Sequence, residues 1–197
     1  GFGPVGLGFQ ATAEGVAFEA DDPKLKFVAA GLAAALAYVR SEGPVLAPFH
    51  LTIESALDDA DGWKFGLGSS AAATVAAVAA VLTWLRADGA PVPTAETVFK
   101  LAAIAHLRAQ GSGSGADVAA SAYGGWLRYS SFNPTWLAGR LARGAGVAQV
   151  LAEPWPFFSA ERLSPLPRNL RLLAGWTGTP ASTASLIPQV TALCATD

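Results

Sequence analysis

The pattern of apolar and polar positions predicts several helices joined by glycine- and proline-rich turns. Apolar residues at helical spacing, bounded by capping and turn residues, predict helices at about 23–41, 71–86, 95–109, 116–122, 134–143 and 182–193. Strands are predicted at 49–54, where apolar and polar side chains alternate, and at 126–132 and 170–176. Long helices mixed with separated strands indicate an α/β or α+β domain, without the regular alternation of a doubly wound sheet.

The composition indicates a folded chain, because 52% of the 197 residues are hydrophobic and only 14% are charged. A formal net charge of −2 and scattered lysines and arginines argue against a nucleic-acid partner. Every apolar run is shorter than the ~18 residues that a spanning helix needs, so no membrane partner is expected. The single cysteine, Cys194, excludes an intrachain disulfide framework and fits a reducing, cytoplasmic location.

The first candidate for chemistry is the turn Gly66-Leu67-Gly68-Ser69-Ser70 at the predicted start of a helix. Glycines permit a tight backbone, and the free N–H groups and dipole of a helix start favour a bound anion. Lys64 adds a positive charge just before the turn. The spacing is not that of a Walker A loop, and a turn that only caps a buried helix explains it about equally well.

Two further turns also combine glycine with serine or threonine just before a predicted helix. Gly111-Ser112-Gly113-Ser114-Gly115 precedes Asp117, a candidate general base whose carboxylate could instead simply favour the helix N-terminus. A third turn, 177–183, carries hydroxyls that are explained equally well as ordinary helix caps. For His106, on the preceding helix, a hydrogen-bonded structural role near the site is favoured over catalysis. Three such turns with a lysine and an aspartate together indicate phosphoryl transfer.

The segment KFGLGSSAA, from Lys64 to Ala72, resembles the ATP-phosphate loop of a kinase superfamily. That superfamily is named after galactokinase, homoserine kinase, mevalonate kinase and phosphomevalonate kinase (GHMP). Within it, the chain most resembles the bacterial phosphomevalonate kinases. The narrower resemblance is carried by Lys64-Phe65 ahead of the loop and by residues 105–132 and 174–183. The resemblance extends over nearly the whole chain from about Ala47.

The resemblance implies an α+β fold of two domains. Residues 1–150 would form the ATP-binding N-terminal domain, which in this family is similar to domain 2 of ribosomal protein S5. Residues 151–197 would begin a ferredoxin-like C-terminal domain. The family's N-terminal lysine strand and glycine-rich C-terminal motif are not found, and the chain has no methionine. The sequence is therefore expected to be a fragment of a longer enzyme.

The implied reaction moves the γ-phosphoryl group of ATP onto phosphomevalonate, with Mg²⁺ as the metal. The catalytic pair would be Lys64, which screens the facing phosphates, and Asp117, which orients the site or helps hold Mg²⁺. The ATP-binding residues would be Gly66, Leu67, Gly68, Ser69 and Ser70, the last also a metal ligand. The substrate-binding residues would be Ser112, Gly113, Ser114 and Thr183.

Two alternatives stay open. Another kinase of the superfamily, such as mevalonate kinase, shares the G-L-G-S-S loop. The stretches Gly175-Trp176-Thr177-Gly178-Thr179 and Tyr123-Gly124-Gly125-Trp126 nevertheless favour phosphomevalonate kinase. The second alternative is a non-catalytic fragment that binds a nucleotide or metabolite. The presence of both Lys64 and Asp117 argues against such a degenerate site.

Overall fold

A computed structural model describes residues 8–12, 16–19, 23–43, 48–54, 67–85, 91–164, 171–173 and 175. The helices there are α1 (Lys26–Ser41), α2 (Ser69–Trp84), α3 (Ala95–Gln110), α4 (Ala116–Tyr123), α5 (Pro134–Ala142) and α6 (Val147–Ala152). The strands are β1 (Phe9–Ala11), β2 (Val16–Phe18), β3 (Leu127–Ser130) and β4 (Ser159–Arg162). This mixture of elements confirms the predicted α+β class.

The core is built on three helices, α1, α2 and α3, which pack against one another. Most residues of α2 are alanine or valine, and side chains such as Ala71 and Val78 are buried. At Gly31 of α1, an added Cβ would lie 3.0 Å from the backbone oxygen of Thr74 on α2. The Thr74 hydroxyl, which donates to the Ser70 carbonyl of its own helix at 2.9 Å, also lies 3.4 Å from the Phe27 carbonyl of α1. The two helices therefore approach so closely at Gly31 that an added side chain would have to push the Thr74 backbone aside by a few tenths of an ångström.

An aromatic cluster joins α3 to the second half of the described chain. The Phe99 ring is fully buried and stacks on Phe158, with ring centroids 4.8 Å apart. Trp155 and Phe132 pack around the same ring, with centroids 6.2 and 6.3 Å from that of Phe99. These contacts hold β3, its flanking residues and the segment after α6 against α3.

The strands form two antiparallel pairs. β1 pairs with β2 in the register Phe9↔Phe18, and β3 pairs with β4 in the register Leu127↔Arg162. β3 lies within the strand predicted at 126–132, whereas the sequence does not predict β1, β2 or β4. Residues 49–54 show the expected alternation of half-buried and exposed side chains, but have no strand partner among the described residues.

Capping residues set the helix ends close to their predicted positions. The Thr94 hydroxyl accepts from the Thr97 N–H at 3.1 Å at the start of α3, and Asn133 caps α5 in the same way. α1 begins later than predicted because Pro23–Leu25 forms a 3₁₀ turn, and α6 is not predicted. The predicted helix at 182–193 lies outside the described residues. In the described chain, none of the helices combines the length and apolar character that membrane crossing requires.

The domain boundary at residue 150 stays a prediction. α6 runs across that position, and β4 pairs with β3 beyond it. Apart from residues 171–173 and 175, the chain from 165 to 197 lies outside the described residues. Residues 151–162 therefore pack on the first unit, and the predicted second domain is not tested.

Candidate active site

The first glycine turn opens α2. Gly68 is the N-cap, with φ +77°, and its carbonyl accepts from the Ala72 N–H at 3.0 Å. Ser69 and Ser70 are the first residues of the helix, so their N–H groups have no intrahelical acceptor. Glycine has no side chain that could satisfy these donors as a cap. An anion at this position would meet free N–H groups and the positive end of the helix dipole.

The second turn joins α3 to α4 through three glycines with positive φ. Gly111, Gly113 and Gly115 have φ values of +86°, +138° and +73°, a conformation that glycine adopts without steric cost. Gly115 is the N-cap of α4, where Ser114 Oγ accepts from the Ala116 N–H at 3.4 Å. Ser112 and Ser114 are exposed. Their hydroxyls are therefore accessible to a ligand.

Two hydroxyls hold the Ser114 carbonyl of the second turn. Tyr129 Oη donates to it at 2.6 Å, and Ser131 Oγ donates to it at 2.9 Å. A Cβ added at Gly115 would lie 2.9 Å from Cε1 of Phe132 and 3.1 Å from Tyr129 Oη. Glycine is therefore required at position 115 both by its φ and by the available space. The turn is fixed in place by β3 and the residues that follow it.

The structure brings the two turns together. A Cβ added at Gly68 would lie 3.6 Å from the Cβ of Asp117, so the Asp117 side chain begins beside the first turn. Asp117 is exposed, and its Oδ1 accepts from the Val118 N–H at 2.9 Å. Ser70 Oγ lies 3.5 Å from Nε2 of His106 on α3. A carboxylate, a hydroxyl, an imidazole and two helix starts therefore share one site.

Burial shifts the pKa of two side chains around this site. It lowers the pKa of His106 below its usual value, an effect that the Asp117 carboxylate partly offsets by favouring the charged ring. Burial raises the pKa of Tyr129 to about 12, with the hydrogen bond to Ser131 acting in the opposite direction and Asp117 adding to the rise. At neutral pH the imidazole is therefore mostly uncharged, and the phenol keeps the proton that it donates to Ser114.

The residues that the sequence assigns to the site divide into two groups. Lys64, Gly66 and Thr183 lie outside the described residues, and their roles stay predictions. The two neighbouring turns hold the other members, which are Leu67, Gly68, Ser69, Ser70, Ser112, Gly113, Ser114 and Asp117. Within the described ranges, no three His, Cys, Asp or Glu side chains form a group that could hold a metal ion.

Sequence reasoning does not identify the contacts that support the two turns. The Phe27 ring stacks on the His106 imidazole, with centroids 4.9 Å apart. Tyr129 and Ser131 hold the second turn from β3 and its end. Alternation along β3 is a signal that Tyr129 faces inward, but its partner Ser114 lies fifteen positions earlier. That pairing depends on tertiary packing, which no local pattern encodes.

Comparison with known proteins identifies the family and one curated relative. Residues 27–125 match the family model of the GHMP kinases N-terminal domain, a stretch that includes both turns. The chain is 46% identical over 140 residues to a phosphomevalonate kinase of Streptomyces sp. (strain CL190). That match covers 71% of this chain and 36% of the Streptomyces protein.

Two solved structures are similar to this fold. A Lin0012 protein from Listeria innocua matches with a TM-score of 0.77 and 38% identity, over 91% of this chain and 48% of that one. A phosphomevalonate kinase of Streptococcus pneumoniae, in complex with phosphomevalonate and AMPPNP, matches with a TM-score of 0.64 and 28% identity. This second match covers 76% of this chain and 44% of that one.

The matches therefore span roughly a third to a half of the length of these relatives. The family model covers about half of this chain and includes the two turns whose geometry is described above. The α+β fold agrees with the solved structures. This chain belongs to the GHMP kinase family and carries that family's N-terminal domain.

Proposed function

We propose that the intact protein transfers the γ-phosphoryl group of ATP to phosphomevalonate, giving diphosphomevalonate and ADP. The observation that carries this proposal is the meeting of two glycine-rich helix starts, with Asp117 beside Gly68. Transfer between two phosphate-bearing substrates requires two neighbouring anion sites, because donor and acceptor oxygens must come into line. The Streptomyces relative's name and the ligands of the Streptococcus structure support the choice of ATP and phosphomevalonate.

The first turn is assigned to ATP. The free N–H groups of Ser69 and Ser70 donate to phosphate oxygens, and Gly68 permits a close approach of the backbone. Gly66 and Leu67 complete the turn. Lys64, assigned from the sequence, screens the charge of the facing phosphates. This turn therefore positions ATP. The attraction of its N–H groups and of Lys64 for the phosphates becomes stronger as the transferred group develops negative charge on its oxygens.

The second turn is assigned to phosphomevalonate. The exposed Ser112 and Ser114 hydroxyls and the Gly113 backbone offer hydrogen bonds to an anionic group. Thr183, assigned from the sequence, adds a further hydroxyl. Because the acceptor is itself a phosphate, it is already anionic at neutral pH and needs little deprotonation. Positioning and charge stabilisation therefore contribute more to this reaction than general-base catalysis does.

Asp117 and Ser70 are the residues that would hold Mg²⁺. They present a carboxylate and a hydroxyl where the two turns meet, and Mg²⁺ prefers such hard oxygen donors together with substrate phosphates. When bound, Mg²⁺ supplies positive charge that stabilises the developing negative charge of the phosphates. Asp117 is exposed and free to turn toward the nucleotide, while its backbone stays fixed at the start of α4.

We extend the proposal to the roles of the two predicted domains and to the cellular location of the protein. Residues 1–150 carry the ATP-binding role, and residues 151–197 begin the second domain. The single cysteine of this sequence supports a reducing, cytoplasmic location.

The proposal is tested by ADP release from the intact gene product. Purified enzyme with Mg-ATP is offered (R)-5-phosphomevalonate, mevalonate and homoserine in parallel assays. Turnover with phosphomevalonate alone is the expected result. Turnover with another acceptor would keep the family's phosphate loop and reject the substrate. Absence of turnover with all three acceptors in a folded protein would favour a binding module.

Variants test the site itself. Lys64→Ala and Asp117→Asn are each expected to lower kcat by at least ~10²-fold, as for loss of one positioned electrostatic or acid–base group. Glu96→Gln is the matched control, because Glu96 is also an exposed acid in the first turn of a helix but lies outside the two glycine turns. Near-normal turnover in both site variants would reject the assignment.

A further inference from the structure

His106 is a buried polar side chain whose contacts lie at the proposed site. It is only 4% exposed, near the C-terminal end of α3. Its Nε2 lies 3.5 Å from Ser70 Oγ, at the long end of the hydrogen-bonding range. Catalytic hydrogen bonds are often long without substrate and shorten when it binds.

The imidazole also lies against the second turn. A small cavity of about 10 Å³ is lined by His106 together with Ser112, Gly113 and Gly115 of that turn. On another side the Phe27 ring of α1 stacks on the imidazole at 4.9 Å. His106 therefore lies between the Ser70 hydroxyl and the cavity beside the second turn, and the Phe27 ring covers one of its faces.

We propose that His106 is a positioning residue that orients the Ser70 hydroxyl by accepting its proton in a hydrogen bond at Nε2. This inference rests on the proposed function, in which Ser70 faces the phosphates of ATP and Mg²⁺. A serine hydroxyl has one proton and two lone pairs. When Nε2 accepts the proton, both lone pairs of Ser70 Oγ stay available as oxygen ligands. Without that acceptor, the hydroxyl is free to rotate, and its proton can point at the cation.

The surroundings of the ring fit an acceptor role. His106 Nε2 faces Ser70 Oγ at 3.5 Å, and one ring nitrogen of a neutral imidazole accepts a hydrogen bond. Removing a residue that orients a ligand of this kind commonly costs 10- to 100-fold in metal affinity or activity. The role of His106 is therefore to act through Ser70, without touching either substrate.

Nucleotide binding and turnover test this role in the intact enzyme. His106→Leu is expected to weaken ATP binding in the presence of Mg²⁺ by about 10- to 100-fold, with a much smaller effect on ATP alone. Titration calorimetry without any acceptor measures this difference directly. In steady-state assays, the loss is expected in kcat/KM for ATP, with KM for phosphomevalonate little changed. His106→Gln, which carries a polar atom at similar reach, is expected to restore most of the binding.

A double-mutant cycle separates a positioning role from a packing role. If His106 acts through Ser70, His106→Leu adds no further loss of Mg-ATP affinity in a Ser70→Ala background. Phe27→Leu is the packing control, because it removes the stacked ring and keeps the hydrogen bond. This variant is expected to lower the thermal midpoint while Mg-ATP affinity is retained. Additive losses in the cycle, or an equal loss in Phe27→Leu, would overturn the proposal.

The tautomer of His106 gives a readout independent of activity. ¹⁵N NMR is expected to show Nε2 without a proton and Nδ1 with one, and the Nε2 signal should move in Ser70→Ala. A proton on Nε2 would reject the acceptor role. Failure of wild-type turnover with phosphomevalonate would instead reject the proposed substrate, while the Mg-ATP binding measurements would still decide the role of His106.

Discussion

The replacement Gly115→Ala tests the claim that the second turn is fixed by both conformation and space. Gly115 has φ +73°, and an added Cβ would lie 2.9 Å from Cε1 of Phe132. Phe132 is 3% exposed and packed against the aromatic cluster around Phe99, so its ring cannot move away without disturbing that cluster. The new methyl group therefore meets a rigid neighbour and an unfavourable backbone angle together.

The expected loss of stability is the sum of the backbone strain and the cost of the steric clash. A left-handed conformation costs an L residue ~1–2 kcal/mol, and an extra methyl group in a packed core costs ~1–3 kcal/mol. The free energy of unfolding is therefore expected to fall by about 2–5 kcal/mol in Gly115→Ala. Gly144→Ala is the matched control, because Gly144 has φ +78° but nothing within 4 Å of an added Cβ. That control carries only the ~1–2 kcal/mol of backbone strain.

Urea denaturation of the intact protein, followed by circular dichroism, measures both variants against wild type. A parallel ADP-release assay shows whether movement of the turn affects KM for the acceptor, which is expected to rise in Gly115→Ala and not in Gly144→Ala. Equal losses of stability in the two variants would show that the Phe132 ring moves aside at little cost in free energy. The account of the turn as a spatially constrained element would then be wrong.

Two further substitutions test the surroundings of the site. Because the pKa of Tyr129 is raised from 10.0 to about 12, unfolded chains ionise first, and wild-type stability is expected to fall as pH rises from 10 toward 12. Tyr129→Phe should make this alkaline fall in thermal midpoint shallower; an unchanged slope would contradict it. Phe99→Ala removes a fully buried ring and should cost ~3–5 kcal/mol in urea denaturation. Trp84→Ala, at a residue 67% exposed, is its control, and a similar loss in both would contradict the importance of the cluster.

Features encoded over a few residues are predicted well from the sequence. Thr94 and Asn133 satisfy N–H groups three residues away, so the starts of α3 and α5 are visible in the local pattern. The glycines at 68 and 115 mark two helix starts because glycine readily adopts the left-handed backbone that precedes each helix. The resemblance of the sequence to the GHMP kinases also predicts the family, and the match over residues 27–125 confirms that prediction.

Features encoded between distant residues are not predicted. β4 is short and becomes a strand by pairing with β3, whose residues lie about 30 positions earlier, from Leu127↔Arg162 to Ser130↔Ser159. α6 has six residues and a glycine N-cap, which leave little local signal. The support of Ser114 by Tyr129, and of His106 by Phe27, likewise appears only when the helices pack. The sequence therefore identifies the turns, while tertiary structure identifies what holds them.

The contact at Gly31 has a consequence for the motions of the site. Because a Cβ at Gly31 would lie 3.0 Å from the Thr74 backbone oxygen, the spacing of α1 and α2 is set without a long side chain between them. Rotamer changes therefore cannot absorb a displacement of α2, and the two helices must open as one unit. The amides in the middle of α1 and α2 should share one opening free energy in hydrogen exchange. Gly68, which opens α2, is therefore expected to keep its place relative to α1 when other parts of the domain fluctuate.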